Sequence, residues 1–462
     1  MHVDTVLSAL ATGAPLVAVT GPAGIGRTTA LGEAGDLLAA KGMAVTAIRF
    51  TRDGDAIPVR SPGTEASFVP LAPVAGAHRD PGIARRAASE TAAELLGGAL
   101  LIDDLQWSDR DSRAVLGALV RGGLTGKPVT CVCAVRTPIP AVQLAWWRDL
   151  REGELVSAVR LRPMGESEIA DEIVTATSVA PDDELVRRVA ELSRGIPAAV
   201  RDSIEMLLSN GSVRALGDEA SLAPAVLPVQ YPLDNRFLRR VRALDPKAGA
   251  AAMAACVFAP LGETVPRLVA EVLETTEAEV VALLDVLRQE GILHRGRNGQ
   301  SWRALVPVFA SSLTGAMAPF ERRQLAARAV TAVWTGEARC ADLDQLADLV
   351  VDAGWLIDPA LACQALLDRS AEVGARTPSR ASRWLDAAVD RAQNPAQRAT
   401  AMLAHTELCY ACGDHERGLR GVRLLLNGFA DQLAPEVAPR LHVLAERASG
   451  GTGQREALRL AN

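Results

Sequence analysis

The sequence predicts an α/β domain built on a parallel sheet with flanking helices, followed by a mostly α-helical remainder. Three observations predict it. Over the first 210 residues short β-branched or apolar runs alternate with longer helical patterns, the rhythm of strands joined by crossover helices. A glycine-rich turn separates the first such run from the first helical pattern. From Pro181 onward strand patterns nearly vanish and helical periodicity takes over.

With 462 residues the chain exceeds what one hydrophobic core serves, and about three domains of roughly 100 to 200 residues are expected. Hydrophobic residues at 49% and charged residues at 23% are the proportions of a folded globular chain, not of a disordered one. The net charge of -6 and a pI of about 5.7 give no basic footprint for nucleic acid. Only three of the 49 basic residues are lysines, Lys41, Lys127 and Lys247, a skew of composition that bears on Arg27 below.

The seven cysteines lie scattered along the chain with no His spacing suited to zinc, so neither a disulfide framework nor a metal cluster is indicated and a reducing compartment fits. Cys131 and Cys133 read as small buried thiols of a strand. Residues 1–15 lack a basic segment followed by an apolar one, and no apolar run reaches the ~18 residues of a membrane span. A cytoplasmic protein without a membrane partner is expected.

The strands read from the sequence are Leu16–Thr20, Ala44–Phe50, Ala99–Asp103, Val129–Val135 and Ser157–Leu161; their near-continuous hydrophobicity suits burial on both faces. Residues Asp53–Gly82, rich in Gly and Pro, read as a long surface insertion. A Pro-rich bridge at Leu222–Pro232 closes a first domain of residues 1–221. Helical patterns at Asn235–Ala259, Thr264–Glu274 and Glu277–Glu290, then a hairpin pattern from Gly291 to Val306, predict a winged-helix-like domain over 233–318. Beyond Pro319 the pattern is purely helical. Paired helices at 359–375 with 380–392, and at 395–412 with 415–426, match the ~34 residues of a tetratricopeptide unit and predict TPR-like repeats over 319–449; a plain helical bundle is the alternative. Residues 450–462 read as a flexible tail.

Residues 21 to 29 read G-P-A-G-I-G-R-T-T between a strand and a helix. This is the G-x-x-x-x-G-[K]-[ST] loop that cradles phosphates, with Arg27 in the place of lysine. Gly21, Gly24 and Gly26 permit the backbone angles and close approach that inward-facing N–H groups need around a pyrophosphate, and Ile25 lies among them. The helix N-terminus adds its partial charge. Thr28 is placed to coordinate Mg²⁺ and Thr29 to touch the α-phosphate of ATP or ADP. Some eighty residues on, the apolar strand Ala99–Asp103 ends in two carboxylates. Asp103 fits the acid that holds Mg²⁺ and Asp104 the acid that polarises water. For Asp104 or Asp109 an N-cap of the following helix is the competing reading. The six histidines are dispersed, and no nucleophile, base and orienting group stand at a recognisable spacing.

At Leu101-Ile-Asp-Asp-Leu-Gln-Trp-Ser-Asp-Arg-Asp-Ser112 the sequence resembles the D-D-hydrophobic-H-W-A-D-x-x-S stretch of the large ATP-binding regulators of the LuxR family, members of the STAND group of AAA-like signalling ATPases. Gly21–Gly26, Phe68-Val-Pro-Leu-Ala-Pro, Ala134-Val-Arg136 and Ser193-Arg-Gly-Ile-Pro197 agree with it. The resemblance implies a P-loop NTPase core, a winged helix and helical repeats, with Arg136 reading the γ-phosphate and Pro197 packing on adenine. It implies a transcription regulator switched by nucleotide, with an inducer or protein partner at the repeats and room for a homo-oligomer.

Three departures qualify it. A guanidinium is larger and differently directed than an ammonium at a tight phosphate, so Arg27 predicts binding with slow or absent hydrolysis. Trp302-Arg303-Ala304 stands where the family has F-R-H. The chain ends at Asn462 without the C-terminal helix-turn-helix of such regulators, and direct DNA binding is not expected. The alternative is a pseudo-ATPase scaffold that binds partner proteins without nucleotide.

Overall fold

The computed structural model describes residues 2–59, 71, 74–95, 97–122, 129–216, 219–222, 236–296, 301–374 and 376–450. The chain forms two compact units. The first comprises residues 1–223, 286–292 and 305–309; the second comprises 224–285, 293–304 and 310–462.

The first unit begins with α1 (His2–Ala11), β1 (Leu16–Gly21), α2 (Arg27–Ala40), β2 (Val45–Phe50), β3 (Ala56–Pro58), α3 (Pro81–Glu94), β4 (Ala99–Asp103), α4 (Arg110–Val120), β5 (Thr130–Arg136), α5 (Leu144–Glu152) and β6 (Val156–Arg160). Six strands make one sheet in the order β3-β2-β4-β5-β1-β6. All neighbours run parallel except the edge strand β3, which pairs antiparallel with β2. The α/β class expected from the sequence is the class found. Leu16, Val17, Ala18 and Val19 of β1 are fully buried, as a parallel strand covered on both faces requires. Burying each such Val or Leu contributes roughly 1.5–3 kcal/mol. Cys131 and Cys133 lie buried in β5, and burial pushes the Cys131 thiol up to about 12.

The five expected strands all appear, each within a residue of its expected ends. The stretch read as an insertion contains β3, with Pro58 tolerated because it lies on the sheet edge. The Phe68-to-Pro73 stretch falls outside the described residues except for Leu71. The unit continues through α6 (Glu166–Thr177), β7 (Ala180–Pro181), α7 (Asp183–Ser193), α8 (Pro197–Ser209), β8 (Val213–Leu216) and β9 (Glu219–Leu222). The last two form a hairpin, and β7 joins it in a three-stranded sheet. This small sheet lies where strand patterns nearly vanish from the sequence, because segments of two to four residues are too short to show a period. The Pro-rich bridge beyond Leu222 lies outside the described residues.

Among its described residues the second unit is helical apart from one hairpin. Its elements are α9 (Arg236–Arg242), α10 (Pro246–Phe258), α11 (Val265–Val272) and α12 (Glu277–Gln289), whose last turn belongs to the first unit; then β10 (Leu293–Arg295), β11 (Trp302–Ala304) and α13 (Pro307–Gly315), whose first three residues also belong to the first unit. The run expected as one helix over Asn235–Ala259 breaks at Pro246, where Asp245 caps α10 by accepting from Lys247 N at 2.7 Å. The hairpin is antiparallel with Leu293 opposite Ala304, and Trp302 is buried. Among the described residues Pro246–Val272 is the one helical stretch long and apolar enough to cross a membrane; half of its apolar window is buried, and Gly262 interrupts it.

Then follow α14 (Pro319–Trp334), α15 (Leu343–Ala353), α16 (Pro359–Val373), α17 (Pro378–Arg391), α18 (Pro395–Ala411), α19 (His415–Gly428) and α20 (Val437–Gly450), each packed on the next. Starts recur in one form: Asp358-Pro-Ala and Asn394-Pro-Ala place proline first in the helix and an acceptor at the cap. The tail from residue 451 lies outside the described residues.

Between α17, α18 and α19 lies a polar chain that the spacing of the histidines conceals. His405 Nε2 meets Ser382 Oγ at 2.8 Å and Nδ1 lies 3.3 Å from Asp386, while Arg417 donates to Asp386 at 2.8 Å. Burial, and after it the Arg417 charge, hold the imidazole below its ordinary 6.5, against the pull of Asp386 and Asp414. Between the lowered folded value and about 6.5 the folded ring is neutral while the unfolded chain takes up a proton. That contribution to stability is present above about 6.5 and is lost as pH falls through the lowered folded value. Chemical denaturation followed by circular dichroism from pH 7.5 to 5 should show stability falling, and His405→Gln should flatten the slope; parallel slopes for the two proteins would contradict the assignment.

Candidate functional site

The site is built where β1 runs into α2. Gly24 (φ +81°) and Gly26 (φ +98°) take left-handed backbone, which costs a residue bearing a Cβ about 1–2 kcal/mol. Space is also short at Gly24, where a Cβ would lie 2.9 Å from Ala198 Cβ. Ala198 N donates to Gly24 O at 3.1 Å, so the Ser193–Pro197 stretch abuts the turn, with Pro197 opening α8. Ile25 is buried beside Gly21, whose own Cβ would meet Ile25 Cγ2 at 2.8 Å. Gly26 caps α2 without a side chain, leaving open space above the first N–H groups of the helix. Arg27 is buried at the first position of α2, while Thr28 and Thr29 are exposed.

Asp103 ends β4, is 3% exposed, and reaches across to this turn. Thr28 Oγ1 lies 3.2 and 3.1 Å from its two carboxylate oxygens, and Asp104 N donates to Oδ1 at 3.0 Å. The residues expected to hold Mg²⁺ are therefore neighbours. A third residue, unforeseen, joins them: Arg49 of β2 donates to Asp103 Oδ2 from Nε at 3.0 Å and from Nη2 at 2.8 Å. The pairing follows from the ladder, in which Arg49 and Asp103 are register partners. Its sequence signal is one charge inside the otherwise uncharged strand V-T-A-I-R-F. A carboxylate has about four lone-pair positions, and here they meet a hydroxyl, an amide and a two-pronged guanidinium. Thr28, by donating its proton, keeps its lone pairs for a cation; Asp103, held by Arg49, is already paired. The donor set does not fit a divalent ion at Asp103 while Arg49 stands there.

Asp104 adopts φ +54°, an uncommon backbone for a non-glycine residue and one in which Asp is enriched. It accepts from Gln106 Nε2 at 2.7 Å. The capping role falls to Asp109, which accepts from Asp111 N and Ser112 N. Gln106 Oε1 in turn accepts from Arg136 N at 3.0 Å, so one amide spans the carboxylate after β4 and the end of β5. The Arg136 guanidinium is largely buried, lies 5.7 Å from the centre of the Trp107 ring, and donates to Gln289 O at 2.9 Å. Its second partner is Glu290, at 3.3 Å; Arg52 pairs with the same carboxylate at 2.9 Å and also faces Trp107 at 5.8 Å. Gly291 follows, so close to the glycine turn that a Cβ would lie 2.6 Å from Ala23 Cβ. Glu290 was not legible as a site residue, because it lies 154 positions from Arg136. Among the described residues no group of three or more His, Cys, Asp or Glu is placed to hold a metal ion.

A parallel sheet with the glycine turn after its first strand and an acid at the end of β4 defines a P-loop NTPase fold. Similar solved structures include the Walker-type ATPase paby2304 of Pyrococcus abyssi, at 13% identity and a TM-score of 0.41 over 68% of this chain and 94% of that one. A STAND protein with a tetratricopeptide repeat sensor from Pyrococcus horikoshii is similar at 12% identity and a TM-score of 0.29, over 98% of this chain and 74% of that one. The Aeropyrum pernix ORC2 protein is similar at 13% identity and a TM-score of 0.35, over 68% and 90%. No family model matches the chain, and no curated protein matches it in sequence. These likenesses are distant, and the class is carried by the sheet order and the turn.

The crowding at Gly24 is testable. Gly24→Val should lower stability by about 3 kcal/mol, backbone strain and overpacking together. Gly42→Ala, at φ +82° with nothing within 4 Å, should cost about 1 kcal/mol. Equal shifts of the urea midpoint would show that Ala198 does not press on the turn.

Proposed function

We propose that the chain is a nucleotide-binding switch of STAND type whose first unit takes ATP or ADP at the turn 21–29 and whose helical repeats take a protein partner or inducer. The observation that carries this reading is the convergence of the turn, Thr28, Asp103, Asp104 and Arg136 on one end of the sheet. In it, the amides of Gly24 to Thr28 surround the phosphates, and Arg136 reads the γ-phosphate. Pro197, beside Gly24, borders the base. A γ-phosphate and Glu290 then compete for one guanidinium, so nucleotide state is exchanged for the position of residues 286–292. This is a population shift driven by differential contacts, and turnover is not needed for it.

Hydrolysis is slow or absent in this reading. Asp104 is held by Gln106, and Arg27 brings a wide planar cation where a compact ammonium would sit. Regulation of transcription through a partner, a cytoplasmic location, the winged-helix reading of residues 233–318 and assembly into a homo-oligomer follow the family resemblance. The second reading, a pseudo-ATPase scaffold, draws on the burial of Arg27 and on the pairing of Arg49 with Asp103.

Calorimetric titration of ATP and ADP separates the two. The switch requires a dissociation constant below about 1 mM and a loss of at least about tenfold in Gly26→Val, whose branched side chain enters the open space at φ +98°. Heats that are absent from the wild type, or equal in the variant, favour the scaffold. Arg136→Ala should remove the preference for ATP over ADP while leaving ADP affinity within about threefold. An unchanged ATP-to-ADP ratio would remove Arg136 from the γ-phosphate.

A further inference from the structure

We propose that Arg49 takes the electrostatic place of the divalent ion, so that this site binds a nucleoside polyphosphate without magnesium. The inference rests on the nucleotide reading above and deepens it. A P-loop acid ordinarily attracts a metal because it is a buried negative charge with no cation of its own. Here Asp103 is 4% exposed in its side chain and carries a guanidinium on Oδ2, through Nε and Nη2. The acceptor positions of Asp103 are taken up by Thr28, the Asp104 amide and Arg49, so a metal-bound water would have to displace one of these contacts. Displacement would leave Arg49 facing a divalent ion at close range, and such like-charge crowding in a partly buried site is costly.

The remaining groups support a metal-free mode of charge balance. The Arg49 side chain is 43% exposed, and Nη1 makes no bond to a described residue, so it is open to a phosphate oxygen. Arg136 and Arg52 lie at the same end of the sheet and share Glu290. Arg27 opens α2 directly beneath the turn. Guanidinium groups bind phosphate in pairs of parallel hydrogen bonds and need no metal to do so. Thr28, whose hydroxyl is committed to Asp103 at 3.1 Å, then positions that acid for Arg49.

The test is calorimetric titration of ATP into the full chain, once with excess MgCl₂ and once with excess EDTA. Wild type should bind equally in both buffers, within about threefold. Arg49→Gln should bind at least about tenfold more tightly with magnesium than without. Arg49→Lys, which keeps the charge, should show a smaller magnesium effect than the glutamine variant and guards against a trivial loss of fold. Wild-type affinity that falls tenfold or more in EDTA overturns the proposal and leaves the nucleotide reading standing. An Arg49→Gln protein as indifferent to magnesium as wild type also overturns it. Binding absent in both buffers overturns the nucleotide reading together with this one.

Discussion

Asp103 is a carboxylate almost withdrawn from water, and an isolated charge in that position would cost several kcal/mol. The cost is offset by donors from three places in the chain: Thr28 on the first turn of α2, Arg49 on β2 and the backbone of Asp104. Because these donors belong to different elements, one side chain ties the first turn of α2 to the sheet. Replacing it with an apolar residue would leave a guanidinium and a hydroxyl to find water at the same spot. The arrangement of the glycine turn, β2 and β4 at this end of the sheet follows from satisfying this one acid.

A second acid organises the other side of the turn. Glu290 is buried and binds two arginines, Arg52 and Arg136, which share the face of Trp107. Trp107 belongs to the same short stretch as Gln106, whose amide joins Asp104 to Arg136. Loop 104–107 is therefore a rigid bridge between the ends of β4 and β5, not a simple link from strand to helix. Movement of Arg136 cannot leave Trp107, Arg52 or Glu290 undisturbed. Residues 286–292 are thereby coupled to the turn both through this cluster and through the close approach of Gly291 to Ala23.

The parts that were legible in the sequence are those written in consecutive residues. The turn at 21–29, the acids at 103 and 104, and the buried strands each depend on a local pattern, and the α/β class follows from their alternation. Arg49 was not legible, since its meaning depends on β2 lying next to β4 in the sheet, and strand order is not written in chain order. Glu290 and the Ser382–His405–Asp386 chain were hidden for the same reason: each group is ordinary alone and acquires a role only from a partner on another element. The hairpin of β8 and β9 escaped for a different one, as four residues such as Val213-Arg-Ala-Leu216 carry no measurable period. Composition also misled at Pro246, where an alanine-rich pattern ran through a proline that local sterics forbid in mid-helix.

Taken together, the two buried acids change what an anion finds on arrival. Arg49 is held by Asp103, and Arg52 and Arg136 by Glu290. A phosphate gains Arg52 or Arg136 only by competing with Glu290, whereas Arg49 can keep Asp103 and still present Nη1, so the net binding free energy at the first pair is a difference between two charge-assisted interactions. Such a site sacrifices affinity relative to one with uncommitted cations, and in exchange every increment of binding loosens a defined protein contact. In the switch proposed above, the energy of association would go into rearranging residues 286–292 and not into straining a phosphoanhydride bond. Arg27 in place of the loop lysine fits that proposal, because a planar guanidinium is directed differently from the compact ammonium at the bond being broken.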